Sequence, residues 1–290
     1  MTEPRTHAIE VPGAVIHYDV REAGPGGAPT LLMIGSPMDA SGFTALAEHF
    51  RDRTVVTYDP RGIGRSRRTG DAGESTPDLH ADDLHRLIAA LGGGPVDVFA
   101  SSGGAVNALA LVARHPEQVR TLVAHEPPAV QELPDREQAL AAVDDIRRTY
   151  ERQGFGAAMV KFIALTSLRG DVPGDFADLP VQSPADFGLP AEDDGSRDDP
   201  LFGQNLVTCT SYEHDFQALR TAPTRIVVGV GAESEGELAH RAGVAVAGRL
   251  RTAPVTFPSH HGGFLGGEFG MKGDPDGFAA TLRQVLSEEG

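Results

Sequence analysis

Tryptophan is absent from the chain, and cysteine occurs once, at position 209. A lone cysteine excludes an internal disulfide and a thiolate metal cluster, which suits a reducing compartment. Cys209 therefore reads as a small buried apolar residue. Basic charge is also short: 25 Lys and Arg face 41 Asp and Glu, a net charge of −16. A surface this acidic gains nothing from meeting a polyanion, which argues against nucleic acid or an anionic membrane as a general partner. No apolar run is long enough to span a bilayer, and no apolar h-region follows Met1-Thr2-Glu3-Pro4-Arg5. The expectation is a soluble, cytoplasmic protein.

Glycine and proline are plentiful instead, with 35 and 21 among 290 residues. Such an excess can signal disorder, but an apolar fraction of 40% is near the globular norm, so the glycines are expected at turns. The length suits one large domain or a domain with an insertion. A chain of this length is compatible with a homo-oligomer.

Apolar runs alternate with turn signals through the first half. Val15 to Val20 reads as a strand, Gly24-Pro25-Gly26-Gly27 as a turn, and Thr30 to Ile34 as a buried strand. A helix follows from Phe43 to Phe50, a strand from Thr54 to Tyr58, a helix from Leu79 to Leu91 and a strand from Val96 to Ala100. Gly104 to His115 is a helix ended by Pro116, and Thr121 to His125 is a strand. Strands alternating with helices imply a mostly parallel central sheet flanked by helices, an α/β architecture.

The rhythm breaks after Pro127-Pro128. Helices are expected from Pro134 to Gln153, Phe155 to Leu168 and Leu201 to Leu219, around a stretch from Gly170 to Pro200 that is dense in Pro, Gly and Asp. Sheet rhythm resumes with the strand Arg225 to Val230, a helix from Glu235 to Leu250, the strand Val255 to Phe257 and a helix from Asp276 to Leu286. The division is residues 1–128 and 222–290 as an α/β core, with 129–221 as an inserted helical cap.

Ala100-Ser101-Ser102-Gly103-Gly104 stands between a strand and a helix. A serine nucleophile on a tight strand-to-helix elbow needs small residues two before and two after it, and Ala100 and Gly104 meet that need. Taken alone, Ser-Ser-Gly-Gly is also an ordinary loop; its placement is what marks Ser102.

Two further segments carry a resemblance. Asp59-Pro60-Arg61-Gly62-Ile63-Gly64-Arg65-Ser66 resembles the D-x-R-G-x-G-x-S turn of α/β-hydrolase-fold enzymes, and Ile34-Gly35-Ser36-Pro37 resembles their H-G-x-P oxyanion loop. Strand, oxyanion loop, arginine turn, elbow, helical cap and a late histidine follow in the family's order across nearly the whole chain. The resemblance implies an α/β-hydrolase fold with a helical cap, and a structural role for the arginine turn, with Arg61 tying loops together. The oxyanion loop departs from the pattern at Ile34, where the family has a histidine that mainly braces the loop. Backbone N–H groups of Ser36 and Gly103 remain as the oxyanion hole, whereas Pro37 has no N–H to offer.

The resemblance also places a general base after the last strand, where His260 and His261 both stand; His261, directly before Gly262-Gly263, is preferred. The remaining histidines read as surface or capping residues, His115 among them. The acid is open between two glutamates. Glu126 ends the strand before the insertion, the acid position of some family members, where a buried carboxylate would need a partner such as histidine. Glu233 lies in Gly231-Ala232-Glu233-Ser234, the turn where the commonest family pattern has G-x-x-D, but one residue early. Each also has a plain reading, Glu126 as a loop cap and Glu233 as a first-turn helix acid.

These residues imply an enzyme that acts on a small-molecule ester, lactone, thioester or C–C β-diketone through an acyl-enzyme on Ser102, with no metal or cofactor. A cofactor-free perhydrolase, a biosynthetic lyase or cyclase, and a ligand-binding member of the fold are the alternatives. Phe155, Met159, Phe162, Phe176, Phe187, Phe202 and Tyr212 are candidates for an apolar pocket, in competition with plain core packing.

Overall fold

The computed structural model of the protein describes residues 4–23, 27–69, 74–92, 94–180 and 182–288. The turn expected at Gly24-Pro25-Gly26-Gly27 lies, apart from Gly27, outside the described residues. The chain opens with an antiparallel pair, β1 (Arg5–Val11) and β2 (Ala14–Arg21). The sequence reading finds β2 alone, because β1 is exposed along most of its length and shows no apolar alternation.

Strands and helices then alternate. β3 (Leu31–Ile34), α1 (Thr44–Glu48), β4 (Val55–Tyr58), the short β5 (Arg67–Arg68), α2 (Pro77–Ala90), β6 (Val96–Ser101), α3 (Gly103–Arg114) and β7 (Val119–His125) follow in order. After β7 come α4 (Arg136–Thr166), α5 (Leu206–Thr210) and α6 (Phe216–Thr221). The sheet resumes with β8 (Arg225–Gly231), α7 (Leu238–Leu250), β9 (Val255–Phe257) and α8 (Pro275–Ser287). The strand order is β1-β2-β4-β3-β6-β7-β8-β9, with β5 on β2. Every pairing from β4 across to β9 is parallel, and β2 joins β4 antiparallel.

Every residue of β3, β4 and β6 is buried, as a parallel sheet covered on both faces requires. On one face Leu84 and Leu87 of α2, Leu109 of α3 and Val246 of α7 pack over Val56, Val98 and Leu122. On the other, Leu46 of α1 and Phe278 and Leu282 of α8 pack over Met33, Phe99 and Val123. The turn after β4 is tied down as expected of Arg61: its Nε and Nη2 donate to the buried Asp83 carboxylate of α2 at 2.7 and 2.6 Å. Cys209 is buried, and burial pushes its thiol up to about 12.

Between β7 and β8 the described residues contain no strand. Positive φ at Gly154 (80°) interrupts α4 at the boundary expected between its two halves. The single helix expected from Leu201 to Leu219 is instead a π-helical turn (Leu201–Asn205), then α5, a break, and α6. The break has a local cause: the Asp215 carboxylate caps a new helix by accepting from the Ala218 N–H at 2.9 Å. α4, the π-helical turn and α5 share an apolar cluster that includes Phe176 and Phe202 and also Leu238 and Ala242 of α7, with Phe155, Met159 and Phe162 packed on its margin, whereas Phe216 and Leu219 of α6 belong to the sheet-side core. Tyr212 packs against the sheet-side core instead, and Phe187 is exposed. No helix among the described residues is long and apolar enough to cross a membrane.

The amino edge of the sheet is held by charge. Asp97, wholly buried at the start of β6, accepts from Arg120 Nε and Nη2 at 2.8 and 2.6 Å and from Nη2 of the buried Arg53. Asp97→Ala would leave the Arg53 guanidinium buried without its carboxylate, and the expected cost is about 3–5 kcal/mol. Urea unfolding of wild type and variant checks this; a loss below about 1 kcal/mol would mean that water replaces the carboxylate at no great cost.

Candidate active site

Parallel topology brings the carboxyl ends of β3, β6, β7, β8 and β9 to one edge, and the sequence-marked residues stand there. Ser102 lies between β6 and α3 with φ 57° and ψ −130°, a strained conformation for a residue with a side chain. Its N–H donates to the His125 carbonyl at 3.0 Å, and its carbonyl accepts from the Ala105 N–H at 2.9 Å. The turn closes this tightly because its neighbours are small. A Cβ on Gly104 would lie 2.5 Å from the Ile34 carbonyl oxygen, and one on Gly103 would lie 2.6 Å from that of Ser36. Ala100, where the family pattern has glycine, is fully buried in β6. Those close approaches put the backbone of Ser36 beside that of Gly103. Gly103 is the first residue of α3, so its N–H has no partner within the helix and sits at the positive end of the helix dipole.

His261 follows β9 on a turn that passes through Ser259 at φ 67°. Its Nδ1 is 2.6 Å from Glu126 Oε2. An ionised carboxylate can only accept, so Nδ1 carries the proton and Nε2 is left as the basic nitrogen. His260 is engaged elsewhere: its Nε2 lies 3.3 Å from the Lys272 carbonyl and its Nδ1 accepts from the Gly262 N–H at 3.0 Å.

Glu126 is wholly buried at the end of β7, with φ 46°. Besides His261, it takes the Gly231 N–H at 2.8 Å and the Ser234 hydroxyl at 2.5 Å, both on Oε1. Burial alone would raise the carboxyl pKa, but the His261 hydrogen bond, the nearby His261 and His125 rings and the Ser234 hydroxyl outweigh it and hold it at about 2. Glu233 is exposed, its N–H donating to the Ser259 carbonyl and its own carbonyl accepting from Arg169. The two glutamates that sequence leaves open thus differ in place: Glu126 meets the histidine, whereas Glu233 forms the outer surface of the same turn.

Sequence reasoning gives Ser234 no role, although it notes the serine at the position where the G-x-x-D pattern has its acid. The hydroxyl there reaches across to Glu126, so the turn braces a carboxylate supplied by the neighbouring strand. Three histidines also depart from the surface or capping expectation. His80, His125 and His214 are buried, and burial lowers their pKa values to about 3, 4 and 4. They are neutral core residues, which spacing alone does not reveal. His125 lies beside the site, its ring centroid 6.1 Å from that of His261.

The sign of the Glu126 shift fixes a pH dependence. In the unfolded chain the group takes up a proton near 4.5, whereas the folded protein resists this until about 2. Its contribution to stability is complete above about pH 4.5 and is lost as pH falls toward 2. In urea unfolding, wild type is expected to lose more stability than Glu126→Gln between about pH 5 and about pH 3. Equal losses would contradict the depressed pKa.

Comparisons with known proteins bear on the family and the fold. A family model described as alpha/beta hydrolase fold matches residues 26–187. The uncharacterized hydrolase YraK of Bacillus subtilis (strain 168) is 33% identical over 264 residues, covering 88% of this chain and 89% of its own. Among solved structures, a thermophilic esterase from Thermogutta terrifontis superposes with a TM-score of 0.64 at 21% identity, covering 98% of each chain. The enol-lactonase from Burkholderia xenovorans LB400 does so with a TM-score of 0.59 at 18% identity, covering 97% of this chain and 100% of its own. With the sheet order, the elbow and these matches together, the chain belongs to the alpha/beta hydrolase fold family and is a hydrolase of that family.

Proposed function

We propose that the protein is a serine hydrolase of small-molecule acyl compounds, an ester, lactone, thioester or C–C β-diketone, working through Ser102, His261 and Glu126. The observation that carries this reading is the 2.6 Å hydrogen bond between His261 and the buried Glu126, set at the sheet edge where the strained Ser102 turn also lies. Ser102 Oγ attacks the substrate carbonyl carbon while His261 Nε2 accepts its proton. The carboxylate of Glu126 holds the ring by Nδ1 and stabilises the imidazolium that forms. The oxyanion of the tetrahedral intermediate accepts from the N–H groups of Ser36 and Gly103. His261 then protonates the leaving group, and a water activated by the same nitrogen hydrolyses the acyl-enzyme. Serine rather than aspartate at the elbow disfavours an alkyl-enzyme route. The fold is shared with an esterase and an enol-lactonase and equally with a putative epoxide hydrolase, so the choice of acyl chemistry rests on the serine at the elbow. In this reading residues 129–221 form the cap over the site and select the substrate.

Labelling with a fluorophosphonate probe, followed by mass mapping, is expected to modify Ser102 and to fail in Ser102→Ala. A folded wild type that does not react would overturn the serine mechanism. Turnover of p-nitrophenyl acetate separates the two glutamates. Glu126→Gln should lower kcat roughly a thousand-fold or more, because the histidine loses its orienting charge, whereas Glu233→Gln should stay within about three-fold of wild type. The opposite pattern would move the acid to Glu233.

A further inference from the structure

We infer that Asn205, in the inserted helical segment, is a positioning residue that sets the oxyanion loop, taking over the brace that the family's histidine supplies where this chain has Ile34. The inference rests on the serine-hydrolase reading above and adds to it the part by which the insertion acts on the chemistry.

The loop after β3 is bounded on two sides. Below it, Met38 packs so closely under Gly35 that a Cβ there would lie 2.8 Å from the methionine methyl. On the other side, the buried Ser36 hydroxyl donates to Asn205 Oδ1 at 3.0 Å, across 169 residues of sequence. Ile34 is fully buried and apolar, so it can pack the loop but cannot hydrogen-bond it. The Ser36–Asn205 bond is thus a directional contact on the residue whose N–H is assigned to the oxyanion hole.

Asn205 is built to hold that contact. It is buried, and its Nδ2 donates to the Pro200 carbonyl at 2.8 Å, so both ends of the amide are engaged and the ring of contacts fixes which end faces Ser36. It closes the π-helical turn Leu201–Asn205, a form that is rare and concentrates at functional positions. Asp199 caps the start of that turn by accepting from the N–H groups of Leu201 and Phe202, each at 3.0 Å. The residues around Asn205 are anchored to the core independently. Gln204 Oε1 accepts from the Ser75 N–H at 2.8 Å, and Thr208 Oγ1 donates to the Ser75 carbonyl at 2.9 Å. The segment is therefore fixed against α2's leading loop on one side and delivers a side chain to the oxyanion loop on the other. Truncating Asn205 frees Ser36 to rotate, which misaims a donor that matters more to the transition state than to the bound substrate.

The test uses full-length protein, p-nitrophenyl acetate turnover and the fluorophosphonate probe. Asn205→Leu is expected to lower kcat about 10–100-fold with KM within about three-fold of wild type, the signature of a contact expressed in the transition state. Ser36→Ala, a smaller deletion that tests the same bond should Asn205→Leu fold poorly, should give a similar kcat, and the double variant should be no slower than either single one. Lys161→Met, which breaks the Lys161–Asp145 ion pair within α4 and removes none of the contacts that hold Asn205, should lower Tm yet leave kcat within about three-fold. A wild-type kcat in Asn205→Leu, an effect confined to KM, or additive losses in the double variant would each overturn the positioning role while wild-type labelling at Ser102 still stands. Wild type that fails to label at Ser102 overturns the hydrolase reading and this inference with it.

Discussion

An ionised carboxylate buried at the edge of a parallel sheet needs compensating partners, and Glu126 draws them from several parts of the chain. The imidazole of His261, the Gly231 N–H and the Ser234 hydroxyl all converge on it, which keeps its pKa at about 2 despite complete burial. The turns after β8 and β9 also bond to each other, through Ala232 N–H to the Phe257 carbonyl and Glu233 N–H to the Ser259 carbonyl, and Glu126 adds the charged contact that joins them to β7. In the proposed mechanism the same carboxylate orients the base, so the electrostatic requirement of the fold and that of catalysis fall on one group. Its backbone is strained as well, with φ 46°, which fits a position whose surroundings over-determine it.

The sheet makes this convergence geometrically possible. Successive parallel strands all end at the same edge, so loops distant in sequence become neighbours there. Charge pins the opposite edge, where Asp97 joins Arg53 and Arg120. At the functional edge, by contrast, the close contact is made by absence of side chain. Gly103 and Gly104 let the elbow press against the carbonyls of Ser36 and Ile34, and no larger residue fits without moving the backbone.

The inserted helices touch this machinery through a polar contact. Many of their apolar residues serve packing: Phe176 and Phe202 sit inside a cluster completed by Leu238 and Ala242 of α7, with Phe155, Met159 and Phe162 at its margin. Of the aromatic residues that composition suggested for a pocket, several are therefore committed to packing. Asn205, unremarkable in the sequence and carried on a π-helical turn, reaches the oxyanion loop instead. Alternation of strands and helices was legible because buried parallel strands are continuous apolar runs. The exposed β1 and the break before Asp215 were not legible, since neither alters the apolar pattern.

What the sequence determined by itself was local. It contained the α/β rhythm and the small residues that permit a serine elbow, because each depends on residues within a few positions of one another, while the departure at Ile34 and the shortlist of histidines and acids came from the resemblance to the family's motifs. Tertiary structure alone decided between Glu126 and Glu233 as the partner of His261, turned Ser234 into a brace and buried His80, His125 and His214 as neutral groups. The Ser36–Asn205 bond belongs to the same class. Such pairings join residues more than a hundred positions apart, and which side chain arrives beside another at the sheet edge follows from strand order and the burial of charge, neither of which is written in local spacing.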